Sequence, residues 1–274
     1  MNPAVATPPQ TAPTPAVQPG QLTKDTYKGR IHPDWCPGCG DFSVLASLQA
    51  ALFELGLKPH EVVVISGIGC SSNLPGFINT FGMHTLHGRS LAVGAGVKLG
   101  NHKLKVICVG GDGDGYGIGG NHFMHSLRRN IDLTYIVMDN QIYGLTTGQV
   151  SPTSVKGMKT KTTPHGNVEN PINPIPMAIV GGATYVARGF SGKQKHLVDL
   201  LKGAIQHKGV TPQRKLGVFS LHPIILCLPT TGEIRWSLGN TPPLPGYCFG
   251  LSSPGAIEKS QLAADNHARC LACR

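Results

Sequence analysis

The sequence predicts an α/β fold, a doubly wound, mainly parallel sheet flanked by helices, and three observations predict it. Short apolar runs rich in β-branched residues occur at 61–66, 106–109 and 133–138, the texture of strands buried on both faces. Between them, near 91–100 and 119–129, lie helical stretches, and strand alternating with helix is the mark of parallel βαβ units. The first two runs empty into Gly-rich turns and the third into Asp139-Asn140; ligands of such sheets sit at the carboxyl ends of the strands.

Taken in order, the first 21 residues carry six prolines and no charge and read as a disordered leader. From about Leu22 the texture is globular. Phe42, Leu45, Leu48, Leu52 and Leu55 recur at three- and four-residue spacing, one face of a helix, and Gly56 stops it. The 61–66 strand runs into Gly67 and Gly69. A further strand is expected near 184–187, and a helix near 194–207 with Leu197, Leu200, Leu201, Ala204 and Ile205 on one face. Residues 22–209 thus form one ligand-binding domain. Residues 210–274 show neither period 2 nor period 3.6, and Pro and Gly interrupt every apolar run, so this segment is expected to be atypical and poorly ordered.

Composition bounds the function. Of 274 residues 40% are hydrophobic, enough for a sizeable core and against wholesale disorder. No apolar run reaches the roughly 18 residues that span a bilayer, and the start lacks the basic and apolar regions of a secretory signal, so a cytoplasmic chain with no membrane contact is expected. Lys and Arg number 24 against 14 Asp and Glu, a net charge of +10. These cations are scattered, Lys156, Lys159 and Lys161 being the densest group, without the aromatic interleaving of a nucleic-acid face. An acidic protein or a phosphorylated ligand fits the basic balance equally well. The eight cysteines, in a cytosolic chain of this size, favour metal or catalytic use over disulfides.

Chemistry concentrates in three places. Gly110-Gly111-Asp112-Gly113-Asp114-Gly115 follows one strand and Asp139-Asn140 the next. Two adjacent strand ends each supply hard oxygen ligands, the donor set Mg²⁺ needs to neutralise a diphosphate, and glycines let backbone N–H groups approach the phosphates. A Gly-Asp-Gly turn alone would more often merely link strand to helix; the paired Asn140 favours the ligand reading. The Cys-x-x-Cys of Cys36 and Cys39 precedes a helix, and Cys70 follows a strand; three such thiols suit zinc, a redox dithiol or an iron–sulfur cluster. Cys108, mid-strand, reads as a core residue. His84, His87 and Arg89 form a third group able to meet substrate or phosphate, with His122 and His125 weaker; each histidine alone is more often structural.

The segments WCPGCGD, SGIGCSS, HGR, GGDGDGYGIGGNHFMHSLRRN, MDNQIYGLTTGQVSPTS and TKTTPHGN, in order between about Leu22 and Gly209, resemble the β subunit of 2-oxoacid:ferredoxin oxidoreductases, particularly the 2-oxoglutarate type. The resemblance implies a thiamine diphosphate-binding fold in which Asp112, Asn140 and the Ile142 carbonyl hold Mg²⁺. It places Gly111, Asp112, Gly113, Asp114, Tyr143, Gly144 and Leu145 around the diphosphate with Ser71 and Ser72, and leaves His87 and Arg89 as catalytic candidates. It also implies a [4Fe–4S] cluster on Cys36, Cys39, Cys70 and a fourth cysteine after the last strand. The nearest candidate, Cys227, stands several residues from the family position. The loss of family texture after Gly209 reads as a shifted reading frame or a lineage-specific C-terminus.

The implied reaction is oxidative decarboxylation of a 2-oxoacid with coenzyme A to acyl-CoA and CO₂, electrons passing through the cluster to ferredoxin. The resemblance favours 2-oxoglutarate, with pyruvate as the alternative, because Asn73 stands where relatives carry a basic residue. None of Glu54, Glu61, Glu169, Glu233 and Glu258 accompanies a motif for activating the cofactor's aminopyrimidine. The resemblance assigns that carboxylate to an α subunit, with the active site at the interface. Two rivals remain at this level: a cluster-free carboligase or decarboxylase, and a non-catalytic remnant.

Overall fold

The computed structural model describes residues 22–207, 224–228 and 235–237. After a 3₁₀ turn at Lys24–Tyr27, the elements run α1 (Gly40–Glu54), β1 (Val62–Ser66), α2 (Leu74–Phe77), β2 (Phe81–His84), α3 (Ser90–Gly100), β3 (Lys105–Gly111), α4 (Gly120–Arg129) and β4 (Thr134–Met138). A short antiparallel pair, β5 (Ile142–Tyr143) and β6 (Gln149–Val150), precedes α5 (Pro174–Val180), β7 (Val186–Phe190), α6 (Gln194–Gln206), β8 (Ile224–Leu228) and β9 (Arg235–Ser237). Gly56, at φ +65, turns the chain out of α1, a conformation that favours glycine.

Seven strands form one sheet in the order β2-β1-β3-β4-β8-β7-β9, parallel except for β9. Strand alternation divides the core between its faces. Val62, Val64, Ile107, Val109, Ile136 and Met138 pack with α1 and α6, whereas Val63, Ile65, Val106, Cys108, Tyr135 and Val137 pack with α4 and Leu91 of α3. Both faces are covered, which is why the strands read as continuous apolar runs. Cys108 is fully buried and donates to the Ser90 carbonyl at 3.3 Å.

The chain leaves β1 to one side for β2 and returns to the other for β3. The carboxyl ends of β1 and β3 therefore flank the crevice where such sheets bind ligands.

The segment after Gly209, expected to be atypical and poorly ordered, includes β8. Ile224-Ile225-Leu226-Cys227-Leu228 lies between β4 and β7, with Cys227 in register with Met138 and Gly189. Its ladder partners are distant in sequence, so periodicity gives no sign of them, and flanking Pro223 and Pro229 mimic a loop. Residues 1–21, and the rest of 210–274 with the expected reading-frame break, lie outside the described residues. Among the described residues no helix is long and apolar enough to cross a membrane.

Candidate active site

At the crevice, β3 ends in Gly110-Gly111 and a π-helical turn at Gly113–Ile118 carries the chain into α4. Such wide turns recur at functional sites. The two aspartates of this segment face different surroundings. Asp112 is 1% exposed and accepts hydrogen bonds from the Ser151 and Thr153 hydroxyls, the latter at 2.6 Å. Thr153 Oγ1 also stands 2.9 Å from Asp139 Oδ1. One hydroxyl proton serves only one of these carboxylates, so the other contact requires a proton on one of the two acids. Burial and the Asp112 charge push the Asp139 carboxyl up to about 7, and burial raises Asp112 as well. Two sequestered carboxylates that resist ionisation together are a donor set that a divalent cation would stabilise.

The turn after β4 brings further polar atoms to this edge. Asp139 Oδ1 accepts from the Gln141 N–H at 3.0 Å and Asn140 Oδ1 from the Ile142 N–H at 3.1 Å. Gln141, at φ +61, adopts the left-handed conformation without being glycine, local strain of the kind found at binding sites. Tyr143 donates to the Gly113 carbonyl at 3.0 Å, and a Cβ on Gly113 would come within 2.2 Å of its ring. Ser71 Oγ lies 3.2 Å from where a Gly111 Cβ would sit, and among the described residues the buried Ser72 Oγ has no hydrogen-bond partner. Backbone without side chains and an unpartnered hydroxyl at one strand edge fit a diphosphate and its cation.

Asp114 is different. Its Oδ1 accepts from the N–H groups of Ile68 at 2.9 Å and Gly88 at 2.7 Å, with His87 Nδ1 2.8 Å away. A Cβ on Gly67 or Gly110 would lie 2.1 or 2.6 Å from this carboxylate. Its side chain therefore ties the loops after β1 and β2 to β3, while its main chain stands in the turn that the resemblance places around the diphosphate. Arg89 is exposed, its guanidinium 3.5 Å from the Ile118 carbonyl, and the His84 ring stands 2.9 Å from Ser66 Oγ.

Gly88 holds this loop at φ +73, and a Cβ there would meet Gly119 N at 2.5 Å and the Ile118 carbonyl carbon at 2.7 Å. Backbone on both sides leaves no room to yield. Gly88→Ala is expected to destabilise the chain by about 3 kcal/mol, a fall in Tm of roughly 6–12 °C. Calorimetry showing an unchanged Tm would refute the tight approach.

The thiols of Cys36, Cys39 and Cys70 come together beside the same edge. Trp35 Nε1 donates to the Cys70 carbonyl at 2.7 Å, and Cys70 Sγ lies 3.7 Å from where a Gly144 Cβ would sit. Burial first, then the charges of Asp41, Cys36 and Cys70, push the Cys39 thiol up to about 12; burial and the charges of Asp41, Cys36 and Asp34 raise Cys70. Buried Asp41 is itself raised to about 7. Among the described residues, however, no group of three or more His, Cys, Asp or Glu, these thiols included, closes into a metal-holding set.

Sequence reasoning singled out Asp112, Asn140, Ile142, Gly111, Gly113, Tyr143, Gly144, Leu145, Ser71, Ser72 and Cys70, which stand on or next to the carboxyl-edge loops of β1, β3 and β4, and Cys36 and Cys39, which lie in the turn before α1. It missed Ser151 and Thr153, whose hydroxyls hold Asp112. The motif containing them, MDNQIYGLTTGQVSPTS, was the available signal.

Residues 58–211 match the family "Thiamine pyrophosphate enzyme, C-terminal TPP binding domain". The chain is 52% identical over 184 residues to 2-oxoacid:ferredoxin oxidoreductase 1, subunit beta, of Aeropyrum pernix, covering 67% of this chain and 58% of that one. It is 42% identical over 201 residues to 2-oxoglutarate synthase subunit KorB of Archaeoglobus fulgidus, 73% of this chain and 72% of the relative. A solved 2-oxoglutarate:ferredoxin oxidoreductase from Magnetococcus marinus, with 2-oxoglutarate, coenzyme A and succinyl-CoA bound, superposes with a TM-score of 0.69 at 44% identity over 75% of this chain and 67% of that one. This chain thus spans well under two thirds of the Aeropyrum pernix relative.

Proposed function

Because the chain belongs to the β subunits of the 2-oxoacid:ferredoxin oxidoreductases, within the thiamine diphosphate enzymes, we propose that it grips the diphosphate end of thiamine diphosphate in oxidative decarboxylation of a 2-oxoacid with coenzyme A. The observation that carries this reading is the paired strand-end site, buried Asp112 beside Asp139 and Asn140 under a glycine turn. Bound there, thiamine diphosphate would supply the electron sink for decarboxylation. Asp112 and Asn140, with the Ile142 carbonyl, would hold Mg²⁺ against the diphosphate, while Ser151 and Thr153 orient Asp112 and Thr153 links it to Asp139. The glycines at 111 and 113 would let main-chain N–H groups face the phosphates.

The carboxylate needed at the other end of the cofactor is the partner α subunit's. Among the described glutamates, Glu61 directly precedes β1 and Glu54 closes α1, both at the opposite edge of the sheet, and Glu169 is exposed beyond the β6 loop. Cys36, Cys39 and Cys70 would hold an iron–sulfur cluster that passes electrons to ferredoxin. We favour 2-oxoglutarate, although Asn73, in the turn after Cys70, offers a distal carboxylate a hydrogen bond and no charge.

Co-purified with its α subunit, the chain should reduce ferredoxin with 2-oxoglutarate only when coenzyme A is present. Its net charge of +10 should make that rate fall as ionic strength rises, because salt screens docking to an acidic ferredoxin. Turnover without coenzyme A and without iron would instead favour the carboligase or decarboxylase alternative. A rate insensitive to salt would refute electrostatic docking.

A further inference from the structure

The segment Cys36-Pro37-Gly38-Cys39 is a closed turn. The Cys39 N–H donates to the Cys36 carbonyl at 3.0 Å, and Gly38 stands at φ +79. A proline second, a glycine third at positive φ and a hydrogen bond from the fourth residue to the first make a type II turn. Such a turn keeps its first and fourth Cα atoms within about 7 Å, and two cysteines are bridged at Cα separations of roughly 4.4–6.8 Å. The backbone thus already brings these two residues within reach of a bond.

Both ends of the turn are anchored. Just before it, buried Trp35 meets Phe42 and Phe77 edge-on, with ring centroids 5.3 and 4.9 Å apart. Just after it, Cys39 is the N-cap of α1 and packs on the core that this helix covers. Cys36 is exposed, whereas Cys39 is half-buried. An accessible thiol therefore stands in front of a sheltered one. Among the described residues these thiols do not close with a third His, Cys, Asp or Glu into a metal-holding set; what the turn assembles is a pair.

We propose that in the iron-free chain Cys36 and Cys39 form a reversible redox dithiol that exchanges with low-molecular-weight disulfides of the oxidised-glutathione class. Exchange depends on access to the attacking sulfur, which assigns the first step to Cys36. Cys36 attacks one sulfur of the incoming disulfide and breaks that S–S bond, its proton passing to the thiolate that leaves. Cys39 then attacks the Cys36 sulfur of the mixed disulfide in the same way, closing the Cys36–Cys39 bond and releasing the second small thiol. Two protein thiols give up two electrons and two protons, and the small disulfide takes them up as two thiols. This inference goes beyond the reading under "Proposed function", since it concerns the chain before any iron is held. Where iron is to be loaded, the bridge withholds two of the three thiols, so loading must follow reduction.

The test treats the full-length, iron-free chain anaerobically with oxidised glutathione, blocks free thiols by alkylation and maps the peptides by mass spectrometry. The peptide carrying Cys36 and Cys39 should be unalkylated and two hydrogen atoms lighter, and dithiothreitol should reverse this. Cys39→Ser should trap glutathione on Cys36, because the resolving thiol is gone, and Cys36→Ser should leave Cys39 free of glutathione. Cys36 and Cys39 both alkylated after oxidised glutathione would overturn the proposal, as would a bridge from either of them to Cys70 or to any other cysteine. The bridged chain should take up roughly tenfold less iron than the same chain after reduction; equal uptake would overturn the withholding of iron. If the reduced chain takes up no iron, the cluster reading under "Proposed function" falls while the dithiol stands on the peptide map, which separates the two failures.

Discussion

Asp112→Ala is expected to weaken Mg²⁺-dependent binding of thiamine diphosphate by at least tenfold, about 1.4 kcal/mol or more. The diphosphate brings several negative charges into a site closed to water, and each anionic metal ligand lost leaves that charge less compensated. Asp112 is the most buried carboxylate of the cluster, and Ser151 and Thr153 already hold its Oδ2. Alanine would leave those two hydroxyls facing a void and Asp139 without its neighbour. Asp112→Asn keeps the shape and both acceptor contacts while removing the charge, so it should weaken binding in the same direction. Titration calorimetry with the α subunit present, at fixed Mg²⁺, makes the measurement. Affinity unchanged in both variants would remove Asp112 from the metal site.

Much of this arrangement is legible in the sequence because it depends on local pattern. The apolar runs ending in Gly67, Gly110 and Asp139 identify parallel strands and their carboxyl ends, and helical spacing identifies α1 and α6. What sequence does not disclose is which polar groups meet across long separations. Ser151 and Thr153 stand 39 and 41 residues from Asp112 in a stretch without periodicity. Asp112 and Asp114 are chemically alike in Gly-Asp-Gly-Asp-Gly, yet the fold uses one beside Asp139 and the other to tie Ile68, His87 and Gly88 together. Nothing local tells them apart, since the difference lies in the glycines at 67 and 110 that make room for Asp114. Strand β8 is hidden for a related reason: its partners, β4 and β7, lie far upstream, and a five-residue apolar run between prolines carries no sign of them.

Anaerobic iron loading of the complex is expected to fall at least roughly tenfold in affinity on Cys39→Ser, while Mg²⁺-dependent thiamine diphosphate binding persists. The cluster and the diphosphate would use different groups, Cys36, Cys39 and Cys70 against Asp112, Asp139 and Asn140. The Cys39 thiol is held protonated by burial and by its neighbours' charges; iron reverses that balance by bonding the thiolates and cancelling their repulsion. Cys108→Ser serves as the control, since that thiol is buried in the core against Ser90, and iron content should not change. The fourth ligand decides how firmly the iron is held. Cys70 stands four residues beyond the end of β1 and Asn140 two beyond β4, whereas Cys227 is still inside β8, in register with Met138. A residue within the ladder stops short of the loops where the other thiols gather. The chain is therefore expected to bind iron substoichiometrically and release it readily, with Cys227→Ser causing no further loss. Four irons per chain, held stably and lost on Cys227→Ser, would show that β8 delivers the fourth thiolate after all.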